Sequence, residues 1–286
     1  MALLDVFIEK SKNKIPRIGI GVGTSQSHYQ VIIDGIIKYL TNNQAEISLF
    51  GYQFDNQDAL NKEITTKSKF IIKFIASENP ERKMIDFLRT QKLDAIIRGG
   101  LSSNKFLAII KKNFNITQIN RLALLETING QQFFFGPVGI DECNDFDGKI
   151  IFLKHTLDLF KILKIKPTIS ILSGGRKGDI GRNPSVDQTI RDAEEIVTIL
   201  QKESPELNIR HNEILIEEAI DNRSNVILAP NGISGNLIYR TLVHLGGGKA
   251  YGAIYLGLKS IIIDTSRVGK SSEIEGALIL ATALRS

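Results

Sequence analysis

The chain has 286 residues, 42% hydrophobic and 23% charged, which suits one large domain or two ordinary ones around a buried core. Lys and Arg number 36 against 31 Asp and Glu, but they are spread without a basic stripe, which argues against a nucleic-acid partner; the single cysteine, Cys143, cannot form an intrachain disulfide and reads as an inert filler of a protein from a reducing compartment. The four histidines (His28, His155, His211, His244) stand too far apart for metal-ligand spacing, and no apolar run approaches the roughly 20 residues of a bilayer span, so the expectation is a cytoplasmic protein with no metal and no membrane partner.

Met1–Pro16 carries charge throughout and shows no apolar segment with a cleavage site. Ile15–Ile20 reads as a strand running into a Gly19/Gly21/Gly23 turn, and Gln30–Leu40 as a helix with Val31, Gly35, Ile36 and Leu40 on successive turns. Ile47–Phe50 and Phe70–Ala76 read as strands, Pro80–Thr90 as a helix opened by its proline, Asp94–Ile97 as a buried strand ending at Gly99–Gly100, and Ser103–Lys111 as the helix after it. Gln118–Leu125 and Gln131–Phe135 are further strands. Gly, Pro and Asp collect over Gly136–Gly148, where a domain crossing is placed.

Lys149–Leu163 then reads as a helix and Thr168–Leu172 as a strand. The next helix is read from a Ser185 N-cap with Gln188 three residues on, and carries Val186, Ile190, Ala193, Val197 and Leu200 at helical spacing. Asn225–Ala229 is a strand, the loop after it leads into a helix to about Leu245, and Gly246–Gly248 stops that helix. Ser260–Asp264 is the last strand and Glu273–Leu284 the last helix. Strands alternating with helices imply an α/β protein with a largely parallel sheet covered on both faces.

Known nucleotide fingerprints fail. Gly19-x-Gly21-x-Gly23 has Thr24 and Gln26 where a dinucleotide loop needs glycine, Arg17 stands where a methyl-donor loop usually has an acid, and Gly269-Lys270-Ser271 lacks the first glycine of a P-loop. Three strand-to-helix loops remain. They are Arg98-Gly99-Gly100; Ser173-Gly174-Gly175-Arg176-Lys177, continuing to Arg182; and Asn231, Ser234, Gly235 and Asn236. Glycine lets backbone N–H groups approach an anion and arginine grips phosphate or carboxylate with a fork of donors. Any one of these loops is more simply a tight turn with solvated cations. Three in register favour a small anionic substrate bearing phosphate or a nucleotide. Asp264-Thr265-Ser266-Arg267, with Glu273 seven residues past Ser266, adds a hydroxyl, a guanidinium and carboxylates at one strand end.

The stretch Asn225–Leu258, NVILAPNGISGNLIYRTLVHLGGGKAYGAIYLGL, resembles the carboxyl-terminal signature of phosphotransacetylases, with its Pro-Asn, Gly-Asn, Tyr-Arg and Leu-Gly-Gly. Asp264-Thr265-Ser266-Arg267 is similar to their Asp-Leu-Ser-Arg-Gly, and Pro167–Asp187 to their strand, loop and Pro-x-Val-Asp segment. Within that phosphate acetyl/butyryltransferase-like superfamily, the string Ser173–Asn183 (SGGRKGDIGRN) resembles the MtxX family of methanogenesis marker proteins, labelled as methyltransferases.

The resemblance implies two α/β domains of the isocitrate/isopropylmalate dehydrogenase-like kind, about 1–135 plus 259–286 and about 136–258, with an interdomain cleft, in a homodimer. It implies a transferase linked to methanogenesis that needs no bound cofactor, with coenzyme A or another thiol coenzyme entering as substrate. Ser266 would stabilise an oxyanion, Arg267 would hold a phosphate or acyl oxygen, and Glu273 would stand where the family has an Asp that handles the thiol proton. Asp264 and the glycine and arginine loops would help hold the substrate. The sequence departs from the pattern at Val268, usually Gly, and at Arg98, where the family has an Asp-Gly turn. A methyltransferase and a non-catalytic ligand-binding or assembly protein are the alternatives.

Overall fold

The computed structural model describes residues 2–54 and 72–285. In chain order the elements are α1 (Leu3–Ser11), β1 (Arg17–Gly21), α2 (Gln26–Asn42), β2 (Glu46–Gly51), β3 (Lys73–Ala76), α3 (Pro80–Arg89), β4 (Ala95–Ile97) and α4 (Ser103–Phe114). There follow β5 (Arg121–Glu126), β6 (Gln132–Gly136), α5 (Phe146–Leu163), β7 (Thr168–Ile171), α6 (Pro184–Glu203), β8 (Asn208–His211), α7 (Ile216–Asp221), β9 (Val226–Leu228), α8 (Gly232–Arg240), β10 (Lys249–Tyr255), β11 (Ile261–Asp264) and α9 (Ser271–Leu284). The chain divides into two compact units, 1–119 with 250–286, and 120–249. Among the described residues no helix is long and apolar enough to cross a membrane.

In the first unit the strands run β3-β2-β1-β4-β11-β10. The first five are parallel and β10 is antiparallel to β11. The central strands are apolar on both faces, with Ile18, Ile20, Ile96 and Ile97 wholly buried, as a sheet covered by helices on both sides requires. α9 is apolar around most of its circumference and is correspondingly buried, packing against α1 and α2. Tyr39 of α2 and Thr282 of α9 share a buried hydrogen bond of 2.7 Å. In the second unit the order is β5-β6-β9-β7-β8, parallel except for the β5–β6 pair. A buried ion pair, Lys149 Nζ to Asp192 at 2.7 Å, ties α5 to α6.

Several elements differ from the sequence reading. The charged amino terminus forms α1, whose Leu3, Phe7 and Ser11 are buried at a spacing of four while the acids and lysines face out. α2 starts at Gln26 on a Ser25 cap, four residues before the expected start. α6 is capped by Asn183, whose side chain accepts from Ser185 and Val186 N–H, with Pro184 as first helical residue; Ser185 is therefore inside the helix rather than its cap. β8, α7 and β10 are additional elements. Residues 70 and 71 of the expected Phe70–Ala76 strand lie outside the described residues.

The Gly19–Gly23 turn has a packing role. Gly100 N–H donates to Gly21 O at 2.8 Å, and a Cβ on Gly99 would sit 2.1 Å from Gly21 O, on Gly23 2.3 Å from Gly100 O. Two strand ends therefore interlock backbone against backbone, with no room for a side chain between them. Gly99 is also in the left-handed region at φ +58°. Gly99→Ala is expected to lower stability by at least about 2 kcal/mol, read as a fall in the urea midpoint at unchanged m-value.

Candidate functional site

The candidate residues fall into two groups, one in each unit. In the first unit β1, β4 and β11 are parallel, so their carboxyl ends share one edge of the sheet, the edge where open α/β folds bind ligands. Arg98 follows β4 there. It is 5% exposed, and its guanidinium is engaged on every side. It forms a buried ion pair with Asp264 and donates to Thr265 O, to Leu101 O at 2.7 Å and to Gly99 O at 3.3 Å. Arg98 and Asp264, expected as substrate-binding groups, are thus engaged with each other, and the pair clamps the end of β11 to the end of β4. A neutral side chain at 98 could not accompany the buried Asp264 carboxylate.

The clamp fixes the next turn, Ser266–Gly269. Gly269 N–H donates to Ser266 O at 3.1 Å, and Val268 N–H to Ser266 Oγ at 3.3 Å. Glu273, in the first turn of α9, is buried, and its Oε1 accepts from Ser266 N–H at 2.9 Å. A Cβ on Gly269 would lie 1.9 Å from the other carboxylate oxygen, so glycine is needed for the turn to wrap this side chain. Glu273 thus acts as an anchor beneath the serine. Arg267, by contrast, is exposed and makes no ion pair or hydrogen bond among the described residues. Its guanidinium is available to an anionic ligand.

His28, which the sequence reading weighed only as a metal ligand, belongs to this group. It is buried in the first turn of α2, and its Nε2 donates to Ser266 O at 3.3 Å. Burial, and after it the charges of Arg98 and Arg267, hold its pKa below the usual histidine value, against the pull of the Ser266 carbonyl. The signal available in the sequence was its place three residues after the capping Ser25.

In the second unit Ser173 follows β7 and is wholly buried. Its hydroxyl donates to Gly175 O at 2.8 Å, and His211 Nε2, at 2.8 Å from the same oxygen, is then the donor to it. Burial foremost, then Lys177, lowers the His211 pKa, against Glu194 and Glu213. Gly174 N–H donates to Thr189 Oγ1 at 2.8 Å. Lys177 pairs with Glu194 at 2.7 Å, and Arg182 pairs with Asp179, so two of the loop's three cations already have partners. Arg176 is exposed with its side chain unpaired among the described residues; its backbone N–H is bound by Asp179 at 2.9 Å.

The Asn231–Asn236 segment is built as a helix start. Asn231 Oδ1 accepts from Ser234 N–H at 3.0 Å, and Asn236 Nδ2 donates to Val138 O at 2.8 Å. Cβ atoms on Gly232 and Gly235 would strike Gly139 O and Pro137 O, at 1.8 and 2.0 Å. These residues cap α8 and seat it on the loop after β6. Cys143 is buried in that loop, where burial pushes its thiol pKa up, as expected of an inert filler.

Both His28 and His211 have folded-state pKa values below the unfolded value of about 6.5. As pH falls through that range the unfolded chain takes up protons first, so stability is full above about pH 6.5 and declines below it. Thermal midpoints are expected to drop between about pH 7.5 and pH 5, and the drop should shrink in a His28→Asn, His211→Asn variant.

No model of a known protein family matches the chain. Among curated proteins it is 42% identical over 213 residues to a Methanosarcina mazei protein named "Putative methyltransferase mtx subunit X", covering 74% of each chain. It is 38% identical over 198 residues to an uncharacterized methyltransferase of Methanocaldococcus jannaschii, covering 66% of this chain and 78% of that protein. Among solved structures it is similar to a phosphotransacetylase from Streptococcus pyogenes, with TM-score 0.71 and 17% identity over 99% of this chain and 98% of that one. A branched-chain phosphotransacylase from Enterococcus faecalis gives TM-score 0.69 and 14% identity over 94% and 99%. At those identities the likeness is one of fold, and it bears out the α/β fold class that the sequence led us to expect.

Proposed function

We propose that this chain, which belongs to the mtx subunit X family, is a transferase that moves an acyl group between a thiol and a phosphate oxyanion. The observation that carries this reading is the Ser266–Arg267 turn: an exposed, unpaired guanidinium beside a serine hydroxyl, on a loop held by Arg98, Asp264, Glu273 and His28. A hydroxyl and a guanidinium offered at a strand end suit charge that develops in a transition state.

In the reaction supported best, a phosphate oxygen attacks a thioester carbonyl carbon. The carbonyl oxygen takes up negative charge as the C–O bond forms. The C–S bond then breaks, the thiolate leaves and takes a proton from solvent, and an acyl phosphate remains. Arg267 would hold the phosphate or the carbonyl oxygen, and the Ser266 hydroxyl would donate to the oxyanion. Because Glu273 is buried and bound to Ser266 N–H, we assign it to positioning the serine rather than to handling the thiol proton. A homodimer is proposed on the fold likeness alone.

The test is release of free thiol from acyl thioesters of coenzyme A and of other thiol coenzymes, with and without inorganic phosphate. Phosphate-dependent thiol release with matching acyl phosphate supports the reading, and no release across the panel rejects it. The names of the relatives favour a second reading, methyl transfer. It predicts instead that label moves from a methyl-labelled donor to an acceptor thiol or corrinoid, with no dependence on phosphate.

A further inference from the structure

The opposite edge of the first unit's sheet holds a second concentration of positive charge. A cavity of 520 Å³ opens at the amino ends of β1, β4 and β11. Its volume is in the range of small-ligand sites, about 300–1,000 Å³. Four cations line it: Arg17 at the start of β1, Arg89 at the end of α3, Lys259 before β11, and Arg285 after α9. The lining carboxylate is Asp94, and it is already bound. It accepts from Arg17 N–H at 2.8 Å and from Arg17 Nη2 at 2.7 Å, with Arg285 Nε at 3.5 Å. Three positive charges are left in excess. Lys259 makes no ion pair or hydrogen bond among the described residues, and Arg89 bonds only the neutral Asn113, at 2.8 Å.

The remaining lining is an apolar floor of Leu88, Leu93, Ile261 and Leu284, with Gln91 and Ser260 as neutral polar groups. A simple inorganic anion would use the charges and waste the floor. A hydrophobic ligand would use the floor and leave the cations unmatched. We propose that this cavity binds a nucleoside diphosphate, whose charge of about −3 at neutral pH balances the excess and whose flat base covers the leucines. Arginine forks and the lysine take the phosphates; Gln91 and Ser260 face the base and ribose. The site is separate from the Ser266–Arg267 turn, which stands at the other end of the same strands.

Calorimetric titration of the full chain with ADP, adenosine and pyrophosphate tests this. ADP is expected to bind one per chain, at least about 10-fold more tightly than either fragment, and Arg89→Glu with Lys259→Glu is expected to weaken it at least about 30-fold. Both side chains are exposed, so the melting temperature without ligand should stay put. If the double variant fails to fold, Lys259→Ala alone decides, with about 5-fold weaker binding expected. In Arg267→Ala, ADP affinity is expected within about 2-fold of wild type. The proposal is overturned if ADP gives no binding, if adenosine binds as well as ADP, or if Arg267→Ala removes the binding while the cavity variants keep it.

Discussion

Arg267→Ala is expected to lower kcat/KM for phosphate-dependent thiol release about 10²–10³-fold while moving the unfolding free energy by no more than about 0.5 kcal/mol. The two halves of that expectation come from the same fact. Arg267 is exposed and makes no ion pair or hydrogen bond among the described residues, so shortening it should cost the fold little, while the proposed reaction would lose the cation that holds its anion. Lysine at 267 should recover part of the rate, because it restores charge without the fork. Single-turnover measurement with saturating thioester would separate a loss in the chemical step from a loss in phosphate affinity. A drop in stability equal to the drop in rate would instead make Arg267 a structural residue.

Arg98→Met is expected to do the reverse, costing about 3–5 kcal/mol of stability by leaving the Asp264 carboxylate buried without its cation. Asp264→Leu alone should cost a similar amount. The double variant removes both charges and should regain much of the loss, so a double-mutant cycle by urea denaturation gives a large coupling energy. Lysine cannot replace Arg98, since one ammonium cannot span Asp264, Thr265 O and Leu101 O together. If Arg98→Met unfolds no more easily than wild type, the clamp between β4 and β11 is not what holds the Ser266 turn.

The two arginines also mark where reading the sequence succeeds and where it stops. Both follow apolar strands and precede turns, which is enough to place them at the carboxyl edge of the sheet. Only their partners separate them, and Asp264 is 166 residues from Arg98. Glycine loops behave alike: the need for Gly99 and Gly23 was visible as composition, but the atom each avoids belongs to the other loop. In β10, Gly252 at φ +104° interrupts the apolar run that announces a strand. α1 carries Leu3, Leu4, Val6, Phe7 and Ile8 among its nine residues, so its helical spacing is legible in the string despite Asp5, Glu9 and Lys10. The regular strand–helix alternation of the rest needs no long-range knowledge, because each element carries its own periodicity.

The return of the chain to the first unit has a consequence for synthesis. β11 lies between β4 and β10 in the sheet, and α9 packs on α1 and α2, so the first 119 residues leave the ribosome without a central strand and a covering helix. Residues 120–249 are a contiguous block and emerge whole. A growing polypeptide can therefore fold its middle before its beginning, and those first 119 residues wait with Arg98 lacking its counter-charge until residue 264 clears the exit tunnel. Chaperone dependence of this protein should accordingly track the translation time between those two positions.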